Sequence, residues 1–487
     1  MSRRALLASA AVPFMLACGG CAGGGAAAPG SGSGSSRARA FDAGSLPGAT
    51  VVDGIPVGDV RELALLAESG GVDEPTPDGD FVRTDGFAET SNLVLADDAL
   101  YLGVCGELRC YDALTGSFIA RSEDAASDPA VSSVAHSGDL IVSATSAGSL
   151  RAHVLAQPTV DGDASSLDSV WNTACADGDA VVGELRSYGD DGAPSTEILT
   201  SDATWNTTGI VCTGNSVLVG FSSYQVDPGS ILSCVDFADG SPRWTRGYEG
   251  RFTYDGGVSQ PYAVGAGLLV PVPEQPALEL VDIETGEVVD ELSLDAPIGM
   301  GFTPVPGTAD EVVTQTRTGT LLHVRISENA LELIASISLH QVGDGVKDAG
   351  GEDSGAVELP SIMQPVVMGG KVVCNAPASE GKVASVVSVD LDTGDIQPVY
   401  QGFFFDTTPC VLLSADGGAA ALVSLTQHGF GAAEIDAADA SLAAWDLLSD
   451  EVACPGTTRE AHMAIRDDGT VLVASGNTNR QRLFTVS

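Results

Sequence analysis

From about residue 90 to the C-terminus, short β-branched apolar runs alternate with Asp-Gly, Gly-Asn and Gly-Gly turns, and amphipathic helical periods are almost absent. Runs of this kind predict many short antiparallel strands and an all-β fold class. Within the pattern one element recurs as Asp-x-x-[Thr/Asp]-Gly, at Asp112 to Gly116, Asp236 to Gly240, Asp282 to Gly286 and Asp390 to Gly394. The offsets are 124, 46 and 108 residues; the first two fit three units and one unit of a period in the low-to-mid forties, and the third fits two somewhat longer units. Each Asp ends an apolar strand and can accept hydrogen bonds from its own turn, while the Gly takes the positive φ that returns the chain.

The tryptophans follow the same rhythm. Trp171, Trp205, Trp244 and Trp445 are spaced by 34, 39 and 201 residues, and each is expected to pack between neighbouring sheets. Two of them share an echo, Asp168-Ser169-Val170-Trp171-Asn172-Thr173 and Asp202-Ala203-Thr204-Trp205-Asn206-Thr207. A period near forty with four strands per unit predicts a β-propeller of four-stranded antiparallel blades. Units end near Ala120, Trp171, Trp205, Trp244, Asp290, Ser336, Pro398 and Trp445, and a partial unit runs from His462 to Ser487. Read literally that is nine. The interval from Trp171 to Trp205 is short for four strands, so eight blades are expected, with seven and nine as alternatives. A ring must close, and the candidate closing strand lies within residues 58–68, where Val60 to Ala67 also suits a short helix. The propeller is expected to span residues 58–487 as one domain.

The segment Leu100-Tyr101-Leu102-Gly103, followed by Leu108-Arg109-Cys110-Tyr111-Asp112-Ala113-Leu114-Thr115-Gly116, resembles the repeat of PQQ-like (pyrroloquinoline-quinone-like) propellers. Worn copies surround Asp236, Asp282 and Asp390, with a degenerate fifth at Asp436, so the resemblance covers most of residues 90–487. Quinone-using members of that family resemble one another in a vicinal Cys-Cys pair and in Glu, Asn and Asp ligands to calcium. No Cys-Cys dipeptide occurs here. The resemblance therefore carries over the repeat residues and no catalytic ones, and implies a non-catalytic branch without PQQ. Calcium stays open at Asp161-Gly162-Asp163, Asp177-Gly178-Asp179 and Asp190-Asp191-Gly192, although none has the spacing of a calcium loop. The six histidines are scattered singly, without paired ligand spacing. No metal site and no catalytic residue is assigned.

The N-terminus reads as an address. Arg3 and Arg4 precede an uncharged apolar run from Ala5 to Ala17, which predicts a secretory signal over residues 1–18. Phe14-Met15-Leu16-Ala17-Cys18 resembles a bacterial lipobox, making Cys18 the lipidation candidate and Cys21 the alternative. Ser2-Arg3-Arg4-Ala5-Leu6-Leu7 also resembles a twin-arginine export signal. Residues 19–57 begin as Gly, Ala, Ser and Pro without apolar period, which predicts a flexible tether and linker. The localisation expected is extracytoplasmic, with the membrane contacted through the lipid alone. Export makes disulfides plausible, with candidates Cys105, Cys110, Cys175, Cys212, Cys234, Cys374, Cys410 and Cys454, and Cys105 and Cys110 suited to one hairpin.

Composition narrows the partners. The 487 residues carry 22 Lys plus Arg against 66 Asp plus Glu, a formal net charge of −44. Such a surface repels a phosphate backbone, so nucleic acid is excluded as a partner. The acid- and Gly-rich stretch Gly343 to Val357 reads as a surface insertion. Together these features predict a lipid-anchored envelope protein that binds another protein or a carbohydrate as a scaffold. The alternative is an enzyme with an acidic funnel site acting on a glycan or another small substrate.

Overall fold

The computed structural model describes residues 60–69 and 81–84, most of 90–176, 205–339 and 365–402, and the strands between 410 and 486. It also describes three two-residue strands, Arg39–Ala40, Ser187–Tyr188 and Pro194–Ser195. The described residues form strands and turns with no helix. They carry eight sheets of four or five strands, built of antiparallel, sequentially neighbouring strands except where N-terminal segments join the last two, besides two two-stranded ribbons.

In chain order the first sheet comprises Val94–Ala96, Ala99–Val104, Glu107–Asp112 and Phe118–Arg121. The second runs over Val131–Ser137, Leu140–Thr145, Ser149–Ala156 and Ser166–Ala174, and the third over Asn206–Thr213, Ser216–Ser222, Ser230–Asp236 and Pro242–Tyr248. The fourth uses Tyr262–Val264, Gly267–Pro271, Ala277–Asp282 and Val288–Ser293, and the fifth Thr303–Pro304, Glu311–Gln315, Thr320–Ser327 and Ala330–Ser338. Val366–Met368, Lys371–Ala376, Ala384–Asp390 and Ile396–Gly402 make the sixth. In the seventh, Cys410–Leu413, Ala419–Thr426, Gly429–Asp436 and Ser441–Asp446 are extended by Arg39–Ala40. The eighth takes three strands from the C-terminus, Ala461–Ile465, Val471–Asn477 and Arg480–Val486, and a fourth, Val60–Ser69, from the beginning of the folded chain. Val82–Thr84 adds a fifth, parallel to Val60–Ser69.

The sheets stand around an axis with their first strands inward. Val94–Ala96 lies beside Val131–Ser137, which lies beside Asn206–Thr213, and that beside Tyr262–Val264. Thr303–Pro304 meets Val366–Met368, then Cys410–Leu413, then Ala461–Ile465, which returns to Val94–Ala96. The fold is a β-propeller.

Its core is the set of seams between sheets. Successive residues of a strand point to opposite faces, so a strand enclosed on both sides feeds two seams. Leu100 and Leu102 enter the seam with the eighth sheet, while Tyr101 between them enters the seam with the second. Val217 and Val219 likewise face the second sheet and Leu218 the fourth. This is why the middle strands read as continuous apolar runs rather than alternating ones. Polar stitches join the inner strands. Asn92 holds both the N–H and the carbonyl of Val134 at 2.8 Å, Ser132 meets the Thr207 hydroxyl at 3.2 Å, and the Ser259 hydroxyl donates to the Ile298 carbonyl at 2.8 Å.

Trp171 lies on the last strand of the second sheet and Trp205 just before the first strand of the third, and between them the described residues form the two-stranded ribbon of Ser187–Tyr188 and Pro194–Ser195. The similar surroundings of the two tryptophans reflect a shared destination, because both indoles enter the same seam. The helical alternative for Val60 to Ala67 does not occur. That segment pairs antiparallel with Arg480–Val486 and buries Leu66 and Ala67.

Candidate functional site

The four repeat turns share one geometry. In each, the N–H of the Gly donates to the carbonyl of the Asp at 2.8–2.9 Å, with the Gly at φ between 70° and 75°. The carboxylate closes the turn from outside. Asp112 Oδ1 accepts from the N–H groups of Leu114 and Thr115 and from the Thr115 hydroxyl. Asp390 does the same with Asp392 and Thr393, and Asp282 with Thr285. Where the repeat carries Asp239 in place of Thr, Asp236 accepts from Ala238 and is clamped by Arg243 at 2.5 Å. The Thr115 hydroxyl, with the two backbone N–H groups, holds the Asp112 carboxyl below the usual aspartate range. Arg243 does so for Asp236, and the Thr393 N–H and hydroxyl do so for Asp390.

Three of these turns, at Gly116, Gly240 and Gly286, are docking points between sheets. The Trp171 Nε1–H donates to the Phe237 carbonyl at 3.1 Å, and the Trp244 Nε1–H donates to the Ile283 carbonyl at 2.8 Å. Phe237 and Ile283 each follow the repeat Asp of the next sheet. A Cβ on Gly240 would come within 2.7 Å of the Trp171 indole, and one on Gly286 within 2.6 Å of the Trp244 indole. At the closing seam the same place beside Gly116 is taken by Leu63, on the strand contributed by the N-terminal segment. Trp205 seats against Gly148 instead, at the hairpin of the second sheet. Trp445 lies on Ser441–Asp446, and its side chain is outside what the structure describes.

Sequence reasoning missed a feature that aims these indoles. In each of the first six sheets the last strand carries a one-residue bulge, at Ile119, Val170, Arg243, Val289, Ile334 and Val399. An extra residue reverses the in-out phase of the strand and re-aims the side chains beyond it. Trp171 and Trp244 come directly after their bulges. No local residue signal announces a bulge, because any side chain can occupy it.

Among the described residues no two cysteines pair. Cys105, Cys110, Cys175, Cys212, Cys234 and Cys374 form no disulfide. Cys105 and Cys110, expected to bridge one hairpin, are on one hairpin but not opposite each other, since Cys110 faces Tyr101 across the ladder. They also enter different seams. Burial pushes the thiols of Cys110, Cys175, Cys212 and Cys374 up to about 12 and that of Cys234 up to about 11. Cys410 lies on Cys410–Leu413. Cys18, Cys21, Cys454, the three acidic turns considered for Ca²⁺ and the 343–357 insertion lie outside the described residues.

Polar side chains that could carry chemistry are engaged within the ring. Ser143 and His153 approach to 3.4 Å, a nucleophile and base by type, but both are fully buried and no substrate reaches them. His323 Nε2 lies 3.0 Å from Glu311, whose other oxygen accepts from Arg325 at 2.8 Å. Arg325 first, then His323, holds the Glu311 carboxyl below the usual range. Glu279 is buried between the third and fourth sheets, where it accepts from Arg246 at 3.1 Å and from the Tyr248 hydroxyl at 3.0 Å. Among the described residues no three His, Cys, Asp or Glu side chains converge as metal ligands.

No family model matches the chain, and no curated protein matches its sequence. Solved structures match across most of the ring. The chain is similar to the C-terminal WD40 domain of Sif2, at 11% identity, with 88% of this chain and 99% of that one covered and a TM-score of 0.51. It is also similar to Chaetomium thermophilum Sqt1 bound to the N-terminus of the ribosomal protein L10, at 12% identity, covering 87% and 99%, with a TM-score of 0.50. BamB from Moraxella catarrhalis matches at 14% identity over 80% and 99%, with a TM-score of 0.41.

Proposed function

We propose that the chain is a lipid-anchored, extracytoplasmic β-propeller of the PQQ-like repeat type, with eight blades, that serves the cell envelope as a non-catalytic binding or scaffold protein. One observation carries the reading. Of the residues that define the repeat, Asp112, Asp236, Asp282 and Asp390 close their turns, and Gly116, Gly240 and Gly286 seat the neighbouring sheet. The described chemistry therefore builds a platform, and platforms of this kind present loops and rims to partners. Sqt1, similar in fold, holds the N-terminus of another protein.

The anchor rests on the sequence from Arg3 to Cys21. Unbridged thiols fit an exported chain here because buried, strongly protonated cysteines react poorly with oxidants. Recurrent capture of one envelope partner by cross-linking in intact cells is the expected result, and repeated capture of none sinks the reading. Acyl labelling is expected to disappear in Cys18→Ala. Labelling retained there but lost in Cys21→Ala moves the lipid to Cys21.

A further inference from the structure

The outer edges of the sheets are not treated alike. Beyond the last strands of the seventh and eighth sheets lie Arg39–Ala40 and Val82–Thr84. At the third sheet the bulged residue is Arg243, tied to Asp236, and at the first the bulged Ile119 is half-buried. At the second sheet the bulged Val170 is exposed at 47%, the one large apolar side chain so exposed among the described residues of that sheet. The fourth and fifth sheets differ in bringing such residues together. Their bulges present Val289 and Ile334, and Leu333 stands beside the second, so that three of the large apolar side chains most exposed in the described structure lie on two adjacent strands. The Leu331 N–H donates to Asp290 Oδ2 at 2.8 Å and holds these strands together. An apolar cluster across two elements is what a monomer normally avoids leaving in water.

Carboxylates predominate around it. Glu291 is exposed two residues from Val289, and Glu332, with its side chain 66% exposed, flanks Leu333. Arg325, which meets Glu332, is also engaged by Glu311. A second copy of a chain with net charge −44 is repelled from such a surface, while a cation is drawn to it.

From this we infer that the rim of the fourth and fifth sheets, centred on Val289, Leu333 and Ile334, docks a basic partner segment bearing aliphatic side chains. The inference rests on the binding-protein reading and names its surface. Docking is through side chains, because a bulge interrupts the open backbone edge that an added strand would need. The probe is a synthetic peptide of alternating Leu and Lys, titrated by fluorescence anisotropy into the intact folded chain. Its affinity is expected to fall at least tenfold in Val289→Thr/Leu333→Thr/Ile334→Thr, which keeps β-branched residues on the strands. It is expected to be unchanged in Leu114→Thr, an exposed apolar position on a repeat turn. Equal binding of a Ser and Lys peptide, or an unaltered affinity in the triple variant, overturns the inference. So does a dimer, seen by sedimentation, that the triple variant dissolves. Partner capture in cells that survives the triple variant also refutes this surface while leaving the binding-protein reading intact.

Discussion

Gly240 and Gly286 hold a left-handed backbone and stand against an indole at once, and the two demands can be separated. Gly138 also has positive φ, but a Cβ there meets nothing within 4 Å. Gly138→Ala should therefore cost about 1–2 kcal/mol, the left-handed penalty alone. Gly286→Ala adds a contact of 2.6 Å with Trp244 and should cost clearly more in thermal or urea unfolding. Trp244→Phe keeps most of the apolar area and removes the Nε1–H, leaving the Ile283 carbonyl without that donor, so a loss of about 1–2 kcal/mol is expected. Acid acts on the same turns. Carboxyls held below their usual range contribute stability that is fully present above the unfolded pKa and is lost as pH falls through the folded one. For Asp112, Asp236, Asp390 and Glu311 that window lies below about pH 4. Asp112→Asn and Asp390→Asn should flatten the fall of the unfolding midpoint between about pH 4 and pH 2.

At the scale of elements the decisive strand is Val60–Ser69. It completes the eighth sheet, buries Leu66 and Ala67, and sets Leu63 on Gly116 of the first sheet. Its ion pairs, Glu62 with Arg482 and Glu68 with Arg480, are exposed and contribute little compared with that burial. A chain starting after residue 69 should lose the single cooperative transition, whereas Glu62→Gln should hardly move the midpoint. Thiol labelling reads the seams. Cys110, Cys175, Cys234 and Cys374 are buried in the folded ring, so their alkylation at pH 8 should wait for unfolding, and rapid native labelling would show that the seams open.

Over the whole molecule the −44 charge opposes compaction everywhere at once. Salt screens repulsion between exposed carboxylates within a Debye length of about 8 Å at 0.15 M. The unfolding midpoint at pH 7 should therefore rise between 20 mM and 300 mM NaCl. A fall would mean that paired charges such as Arg325 with Glu311, or Arg246 with Glu279, outweigh the general repulsion.

Local chemistry made part of this protein legible in its sequence. The alternating pattern, the four Asp-to-Gly turns and the period near forty report on contacts within one hairpin, so they specify all-β units and a propeller without knowledge of neighbours. Trp171 and Trp244 could be read as packing residues from their size and spacing. What filled the space between units was decided only in three dimensions. The bulges at Val170 and Arg243 depend on register against another strand, and the role of Trp205 on which seam its backbone enters. That Cys105 and Cys110 form no bridge comes from cross-strand pairing, and the substitution of Leu63 for a tryptophan at the closing seam from a contact that joins the two ends of the ring. A sequence records what each residue favours locally, whereas a seam is a choice between distant partners, and close packing of the closed ring makes that choice.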